Sequence, residues 1–339
     1  MIRPIDPTYG SDQHGLVCGY RFVPGKAAEP ITSEAAVQFL ALPEAECGKE
    51  FLWLHFSLSN SISEPWMKRN LNLPEAYYEL MHSNVGSTRL EQDGGALIVL
   101  IHDVLFDFKF DASAVATSCL CIQPRLLVSA RFKPLQSLDQ LRTAVRGGSV
   151  FHSSAELLSH LLQQQANVLV QILRQSSLRV DGIEDRILAN IVASSRSELG
   201  RLRRVLVRLQ RLLAPEPAAL FRLLNKPPAW ISGENLQDLQ QAAEEFAAAV
   251  GDSVALGERV KLLQEELAAL VNEQTNRTLF ILTVVTVLAL PINLVAGLFG
   301  MNVGGIPLAE SGHGFLVVVV IMMLLTGFLA YRAFGNHRD

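Results

Sequence analysis

The C-terminal part of the chain contains two long apolar segments without charge. No Asp, Glu, Lys, Arg or His occurs in 278–309, and the apolar part of this segment, Leu279–Phe299, is 21 residues long. A second uncharged run covers Phe315–Tyr331. Because a helix needs about 20 apolar residues to cross the hydrocarbon core of a bilayer, both segments are predicted to span a membrane. The predicted spans are 278–299 and 315–334, joined by the loop 300–314.

Positive charges predict how these spans are oriented. Arg277 precedes the first span, Arg332 and Arg338 lie at the end of the second, and the loop contains no Lys or Arg. Since cytoplasmic flanks carry the excess of Lys and Arg, the loop is expected outside and both chain ends, including the tail 335–339, in the cytoplasm. Only 18% of the 339 residues are charged, against about a quarter in soluble proteins. The net charge of −4 gives no general basic surface for nucleic acid.

The residues before the first span are predicted to form a cytosolic part with an α+β fold. Region 1–150 is interpreted as an α/β domain, layered as α/β/α, and region 151–231 as helical. The predicted strands are His14–Phe22, Glu50–Leu58, a pair within Arg89–Asp103 around a Gly-Gly turn, Ser118–Ile122 and Leu126–Ala130. The predicted helices are Ser33–Leu42, Pro74–His82, Ser153–Ser176 and Val180–Leu213, after which the prolines of 215–228 interrupt the helical pattern.

Region 232–277 is predicted to be a stalk helix that continues into the first span. No proline occurs from Gly233 until Pro291, so one helix is expected over Ser232–Phe299, about 100 Å long at 1.5 Å per residue. Apolar residues from Leu236 to Leu270 recur at steps of three and four, as in a heptad seam. One small domain is not expected to cover such a helix, so neighbours are predicted, most simply further copies of the chain.

Two stretches of the cytosolic part are strongly charged. The segment RLRRVLVRLQR, 201–211, is basic, and over 233–273 nine acids stand against two bases. The basic stretch is interpreted as a solvated or interface face, with pairing to the acidic helix as the alternative. The acidic stretch is interpreted as a solvated face or as a vestibule that attracts cations.

Polar and small residues, together with two leucines, recur along one side of the first span. At 100° per residue they occupy about a third of the helix circumference. These residues, called the stripe below, are Asn276, Leu279, Thr283, Thr286, Leu290, Asn293 and Gly297. A helix-packing seam and a pore lining both have this pattern, and both require other helices. In a pore, the neutral stripe suits a cation that keeps part of its hydration shell, and the leucines would form apolar rings that gate by dewetting.

The first span ends in Gly300-Met301-Asn302, within the segment PINLVAGLFGMNVGGIP, 291–307. In this position, after a long charged helix and before a short loop and a last span, the motif resembles the signature of the CorA family of divalent-cation transporters. The segments FLWLHFS, 51–57, and IEDRIL, 183–188, agree with it. Within the family the loop is similar to the ZntB branch, because Gly304 and Leu308 occupy positions that are usually acidic in magnesium-type members.

The resemblance implies a funnel-shaped homopentamer in the inner (plasma) membrane, with one central pore lined by the first span. Asn302 would form a ring at the outer mouth that holds a hydrated cation, and Asn293 the next ring inward. Zinc is implied as the transported ion, and no cofactor is expected. Two alternatives remain open: a magnesium or broad-specificity channel of the same fold, and a membrane-anchored cytosolic sensor without conduction. An anchor alone would not need the stripe.

Coupling to protons and capture of metal are predicted outside the first span. No group in 278–309 titrates near neutral pH, so a proton carrier inside the first span is excluded. Candidate carriers are Glu310 and His313 on the outside and Glu273 on the inside. Because zinc binds His and carboxylate ligands, Glu310 and His313 are also the candidate metal-capturing residues. No nucleotide-binding, protease or CxxC motif occurs, so no enzyme is predicted.

Overall fold

The computed structural model describes residues 12–43, 48–82, 88–109, 111, 113–189, 191–301, 307 and 312–335. The chain divides into two compact units, Met1–Gln264 and Glu265–Asp339. The first unit contains a β-sheet with helices on both faces. The second contains the two apolar helical segments predicted above.

The described strands of the first unit form one seven-stranded sheet in the order β2-β1-β3-β7-β6-β5-β4. Neighbouring strands are antiparallel except β3 and β7, which are parallel. Strands covered on both faces are nearly continuous apolar runs, and every residue of β5 and β7 is buried. The strands are β1 Leu16–Phe22, β2 Glu29–Pro30, β3 Phe51–Ser57, β4 Arg89–Asp93, β5 Ala96–Val104, β6 Val115–Gln123 and β7 Leu126–Arg131.

Helices cover both faces of the sheet, which confirms the predicted α/β/α layering. One face packs against α1, α2 and α3, with Met67 and Tyr77 fully buried. The other packs against α4, α5, α7 and the start of α8. The helices are α1 Ser33–Ala41, α2 Ser63–Asn70, α3 Glu75–His82, α4 Gln136–Arg146, α5 Ser154–Leu188, α6 Val192–Leu213, α7 Pro215–Asn225, α8 Gly233–Phe299 and α9 Gly314–Gly335.

The predicted break between Ser176 and Val180 is wrong. Helix α5 continues through Leu188, with Ala189 as its C-cap, and the next helix begins at Val192. A serine inside a helix is tolerated when its hydroxyl bonds to the preceding turn, and the buried Ser176 hydroxyl donates to the Ile172 carbonyl at 2.8 Å.

The prolines of 215–228 interrupt the helical structure only in part: Pro227 and Pro228 lie in the break between α7 and α8, as predicted, but Pro215 and Pro217 lie inside a helix. Pro215 begins α7, because proline at the first helical position loses no needed hydrogen bond and has a suitable φ. Glu216 follows, is fully buried and accepts from Gln165 Nε2 at 3.2 Å and from the Thr88 hydroxyl at 3.3 Å. Burial raises the pKa of Glu216 well above its usual range, which favours the neutral, protonated carboxyl.

Helix α8 is one helix over nearly the predicted range, but its apolar seam is covered differently from the prediction. Leu239, Phe246, Val260 and Leu263 are buried within the first unit. Helix α6 approaches so closely that a Cβ on Gly257 would lie 2.8 Å from a side-chain nitrogen. The expectation that this seam needs further copies is therefore wrong for Leu239–Leu263, because the chain's own helices cover it.

Candidate functional site

Two described helices are long and apolar enough to cross a membrane. They are α8, through its C-terminal part, and α9, and each contains a stretch with a mean hydropathy of 2.5. In the second unit these helices face each other across an apolar groove of about 1020 Å³. The groove is lined on α8 by residues including Ile292 and Val295 and on α9 by residues including Val318 and Met322.

The face of α8 that is turned towards α9 is apolar. Val284 is buried, and Phe280, Leu288 and Val295 are half-buried, whereas most other positions of the span are exposed. These four residues share one side of the helix at 100° per residue. Packing within this unit therefore uses the side of the span on which these four apolar residues lie.

The stripe lies on the other side of α8 and is exposed along its whole length. All seven of its residues are exposed, with Leu279 at 55% and Leu290 at 66%. At 100° per residue the centre of the stripe lies about 140° from the side that faces α9. Packing between the two spans of one chain thus does not use the stripe, and a packing role would need another chain.

The hydroxyls of the stripe have a defined hydrogen-bond role. The Thr283 hydroxyl donates to the Leu279 carbonyl at 2.8 Å, and the Thr286 hydroxyl donates to the Leu282 carbonyl at 2.9 Å. Because each O–H is directed along its own helix, the lone pairs of each oxygen remain available as acceptors. The threonines can therefore accept hydrogen bonds from water on the exposed side.

Gly300 follows directly after the C-terminal end of α8. Its N–H donates to the Ala296 carbonyl at 2.9 Å, and a Cβ on Gly300 would lie 3.0 Å from that oxygen. A side chain at this position would therefore crowd the last turn. Met301 follows and is exposed, as is His313 before α9. The predicted mouth residue Asn302 and the candidate ligand Glu310 lie outside the described residues.

The acidic residues of α8 remain outside the core. Eight of the nine acids in 233–273 are exposed and Glu245 is half-buried. Within the described residues, no arginine of α6 forms an ion pair with an acid of α8, which favours the solvated or interface face over the alternative of pairing. Instead, a base of α8 pairs with acids of another helix: Arg259 of α8 forms ion pairs with Asp181 and Glu184 of α5.

Other candidate metal ligands are held in the core. Cys119 and Cys121 are buried in the sheet, and burial raises the pKa of both thiols to about 12. His55 is buried and bonds to Ser129 and Arg131. Among the described residues, no three His, Cys, Asp or Glu side chains are placed to hold one metal ion. The stripe is therefore the candidate functional site among the described residues.

Comparison with known proteins identifies the family. The family model described as CorA-like Mg2+ transporter protein matches residues 48–334. The "Divalent cation transporter CmaX" of Pseudomonas aeruginosa is 25% identical over 92% of this chain and 93% of its own length. The "Zinc transport protein ZntB" of Pectobacterium atrosepticum is 21% identical over 82% of this chain and 85% of its own length.

A solved structure has the same fold. The structure of the full-length CmaX protein superposes with a TM-score of 0.81 at 23% sequence identity, covering 96% of this chain and 99% of the other. The related proteins are transporters by name, not enzymes. The family match covers most of the chain, including both apolar helices. The chain therefore belongs to the family of CorA-like Mg2+ transporter proteins.

Proposed function

We propose that this chain transports divalent cations, zinc first among them, through a central pore that five copies form with the membrane part of α8. Family membership makes it a divalent-cation transporter. The observation that carries the pore proposal is the exposed, uncharged stripe, which is turned away from α9. A lipid-facing surface would not require Asn276, Thr283, Thr286 and Asn293, since polar groups facing hydrocarbon are unfavourable.

The length of the stripe fits a path across the bilayer. From Asn276 to Gly297 the helix rises 21 steps, about 31 Å at 1.5 Å per residue, and the hydrocarbon core is about 30 Å thick. In a pentamer each stripe position becomes a ring of five side chains. Two of these rings, at Leu279 and Leu290, are apolar and act as constrictions that gate by dewetting.

The polar rings act on the ion through its water. The Thr283 and Thr286 hydroxyls already donate to their own helix, so their oxygens accept hydrogen bonds from the hydration shell of a cation. Asn293 adds carboxamide oxygens nearer the outer end. At the outer mouth, Gly300 and Met301 end the helix and Asn302 forms the ring that first holds the hydrated ion.

Acids at the start of the second unit favour cations near the pore. Glu265, Glu266 and Glu273 are exposed and raise the local concentration of divalent cations. No carboxylate interrupts the membrane part of the stripe, so an ion is attracted at the entrance without being bound tightly inside. We further propose that both chain ends lie in the cytoplasm and the loop 300–314 outside, in the inner membrane.

The choice of ion is supported by the loop and by the relatives. Gly304 and Leu308 leave this part of the loop without the acids of magnesium-type members, which favours zinc, as does similarity to ZntB. A second candidate is broad selectivity among divalent cations. It is favoured by the similarity to CmaX, which is named a divalent cation transporter and matches more of the chain at higher identity.

Protons are the candidate coupling ion. Their carriers would be Glu310 and His313 outside and the exposed Glu273 inside, because no stripe residue titrates near neutral pH. Glu310 and His313 would also capture zinc at the outer mouth. Replacing both residues, as Glu310→Gln with His313→Gln, should flatten the pH dependence of transport. An unchanged pH dependence would refute their part in the coupling.

Flux into proteoliposomes tests the proposal. Zinc uptake into vesicles loaded with a zinc-sensitive dye is measured with and without an inward proton gradient. Magnesium uptake is measured in the same way with a magnesium-sensitive dye, and Asn302→Ala serves as the control variant. Zinc flux that requires Asn302 and rises with the gradient is expected for coupled import. Equal magnesium flux would favour broad selectivity, and flux of neither ion in intact pentamers would overturn transport.

A further inference from the structure

The first unit contains a pocket that the transport proposal does not use. It has a volume of about 310 Å³ and lies between α3, the strands β5–β7 and α6. Most of its lining residues are apolar, among them Met81 from α3, Leu100 from β5 and Leu212 from α6. A second pocket of about 190 Å³ adjoins it and shares Met81 and Phe132. Pockets of 300 to 1,000 Å³ are in the range of small-molecule sites.

The ionisable groups in the described lining of the larger pocket give it a positive charge. Arg208 and Lys133 contribute two cations, and no carboxylate is present among the described lining residues. Burial and the charge of Arg208 lower the pKa of His102 to about 4, so this imidazole is neutral. The Cys119 thiol is also neutral, because burial raises its pKa to about 12.

The two cations have no partner within the described part of the chain. Arg208 and Lys133 take part in none of the ion pairs or side-chain hydrogen bonds among the described residues, whereas other arginines, such as Arg186 and Arg259, are paired. Both residues are exposed, so solvent hydrates them in the unbound state. An anion that enters the pocket therefore gains two charge-assisted contacts without first breaking an ion pair.

We propose that this pocket binds a small organic anion. Its carboxylate, sulfonate or phosphate group lies against Arg208 and Lys133, and its flat apolar body lies against the strands and α3. A bare divalent cation does not fit, because the lining would repel it. An inorganic anion alone would leave the apolar wall without a partner, so both parts of the ligand contribute to binding.

Helix α6 supports this assignment beyond the pocket. Arg201, Arg204, Arg208 and Arg211 follow one another at steps of three and four, and all four are exposed. They form one basic edge, of which Arg208 alone lines the pocket. Neighbouring positive charges steer anions to a site and raise the rate of association. The basic segment 201–211 thus gains a role that the pore does not give it.

Calorimetric titration of the full-length protein in detergent tests the proposal. The probe is naphthalene-2-sulfonate, and its uncharged match is naphthalene-2-sulfonamide in the same buffer. Arg208→Gln and Lys133→Gln should each weaken binding of the sulfonate about tenfold, the effect of removing one charge-assisted hydrogen bond. Arg201→Gln is the matched control, because it removes the same charge two turns earlier on the same face and should change affinity less than about twofold.

A second set of measurements tests the apolar part of the proposed binding site. Thr117 lines the pocket at a partly buried position, on the same face of β6 as Cys119. Thr117→Leu should abolish sulfonate binding by filling the space, while the thermal unfolding midpoint stays near that of the unchanged protein. Inorganic phosphate should bind much more weakly than the sulfonate.

Several results would overturn the proposal. They are no heat with the unchanged protein, equal affinity for the sulfonamide, equal affinity for phosphate, or equal losses in Arg201→Gln and Arg208→Gln. Binding is measured without ion flux, so its failure leaves the transport proposal intact, and a failure of transport leaves this site intact.

Discussion

Removing the two threonine hydroxyls of the stripe should slow zinc flux strongly. Thr283→Val and Thr286→Val keep the side-chain shape but replace each oxygen acceptor with a methyl group. The two positions are three residues apart, about 4.5 Å along the helix axis, so a hydrated ion contacts both rings together. Both hydroxyls already donate to carbonyls of their own helix. The substitutions therefore remove the oxygen that would accept hydrogen bonds from the water around the ion.

The expected size follows from the hydrogen bonds that the ion's hydration shell no longer makes. One hydrogen bond contributes about 1 kcal/mol net, and the double variant removes at least one acceptor in each ring from that shell. A barrier higher by about 2 kcal/mol corresponds to flux about 30-fold slower. The assay is the initial rate of dye-reported zinc uptake into proteoliposomes with equal protein content.

Thr278→Val is the matched control for this prediction. Its hydroxyl donates to the Gln274 carbonyl at 2.9 Å in the same way, but the residue lies about 100° from the centre of the stripe. Flux in this variant should stay within about twofold of the unchanged protein. Equal losses in the control and the double variant, or undiminished flux in the double variant, would refute the assignment of the pore face.

Three predictions concern the stability of the first unit, each measured as the thermal unfolding midpoint in detergent. Burial raises the pKa of Glu216 above the usual 4.5, so the stability of the unchanged protein falls as pH rises from 4.5 through the raised pKa. Glu216→Gln does not titrate and should therefore gain stability over the unchanged protein across this rise in pH. A difference that does not grow as pH rises above 4.5 would contradict this. Burial lowers the pKa of His55, so the ring is neutral and its Nε2 accepts a hydrogen bond from Arg131 Nε at 2.8 Å. His55→Leu removes that acceptor and should lower the free energy of unfolding by about 1–3 kcal/mol. An unchanged unfolding midpoint would show that the bond contributes little. Phe246 is 1% exposed, so Phe246→Ala should cost about 3–5 kcal/mol, and a cost below about 1 kcal/mol would mean that the α8 seam is loosely packed.

The sheet was predictable because its signals are local. The runs FLWLHFS and ALIVLIHDV are nearly continuous apolar segments, as strands buried on both faces are. Gly94 and Gly95 have φ of 56° and 82°, which matches the predicted turn between β4 and β5. Helices α2 and α4 were not predicted. Helix α2 has only two buried positions, which give no helical pattern, whereas α4 does carry a helical spacing in Leu138, Leu141 and Val145, so its signal was present in the sequence.

The candidate site was predictable only in part. Helical periodicity alone gives the stripe, and the structure adds that α9 packs on another side of α8. The seam of α8 was predicted, but periodicity does not say whether the partner is the same chain or a copy. The local sequence does not predict that Glu216 is buried against Gln165, or that Lys133 and Arg208 line one pocket, because the residues of each pair are far apart in the chain.

Cysteine scanning of the first span tests the central proposal most directly. The background needs little change, because Cys119 and Cys121 are buried and protected from reagents in water. Cys18, which is partly exposed, and Cys47 are replaced by serine. Single cysteines are then introduced along the span, and zinc flux is measured before and after treatment with a positively charged methanethiosulfonate.

The choice of positions separates a pore from simple exposure. Ile281 and Val285 are 53% and 57% exposed in the single chain, much like the stripe, but lie on another side of α8. We predict that the reagent blocks flux through cysteines at Thr283, Thr286 and Leu290 and leaves flux unchanged for cysteines at Ile281 and Val285. Block at Ile281 and Val285 without block at the stripe would contradict the proposed pore.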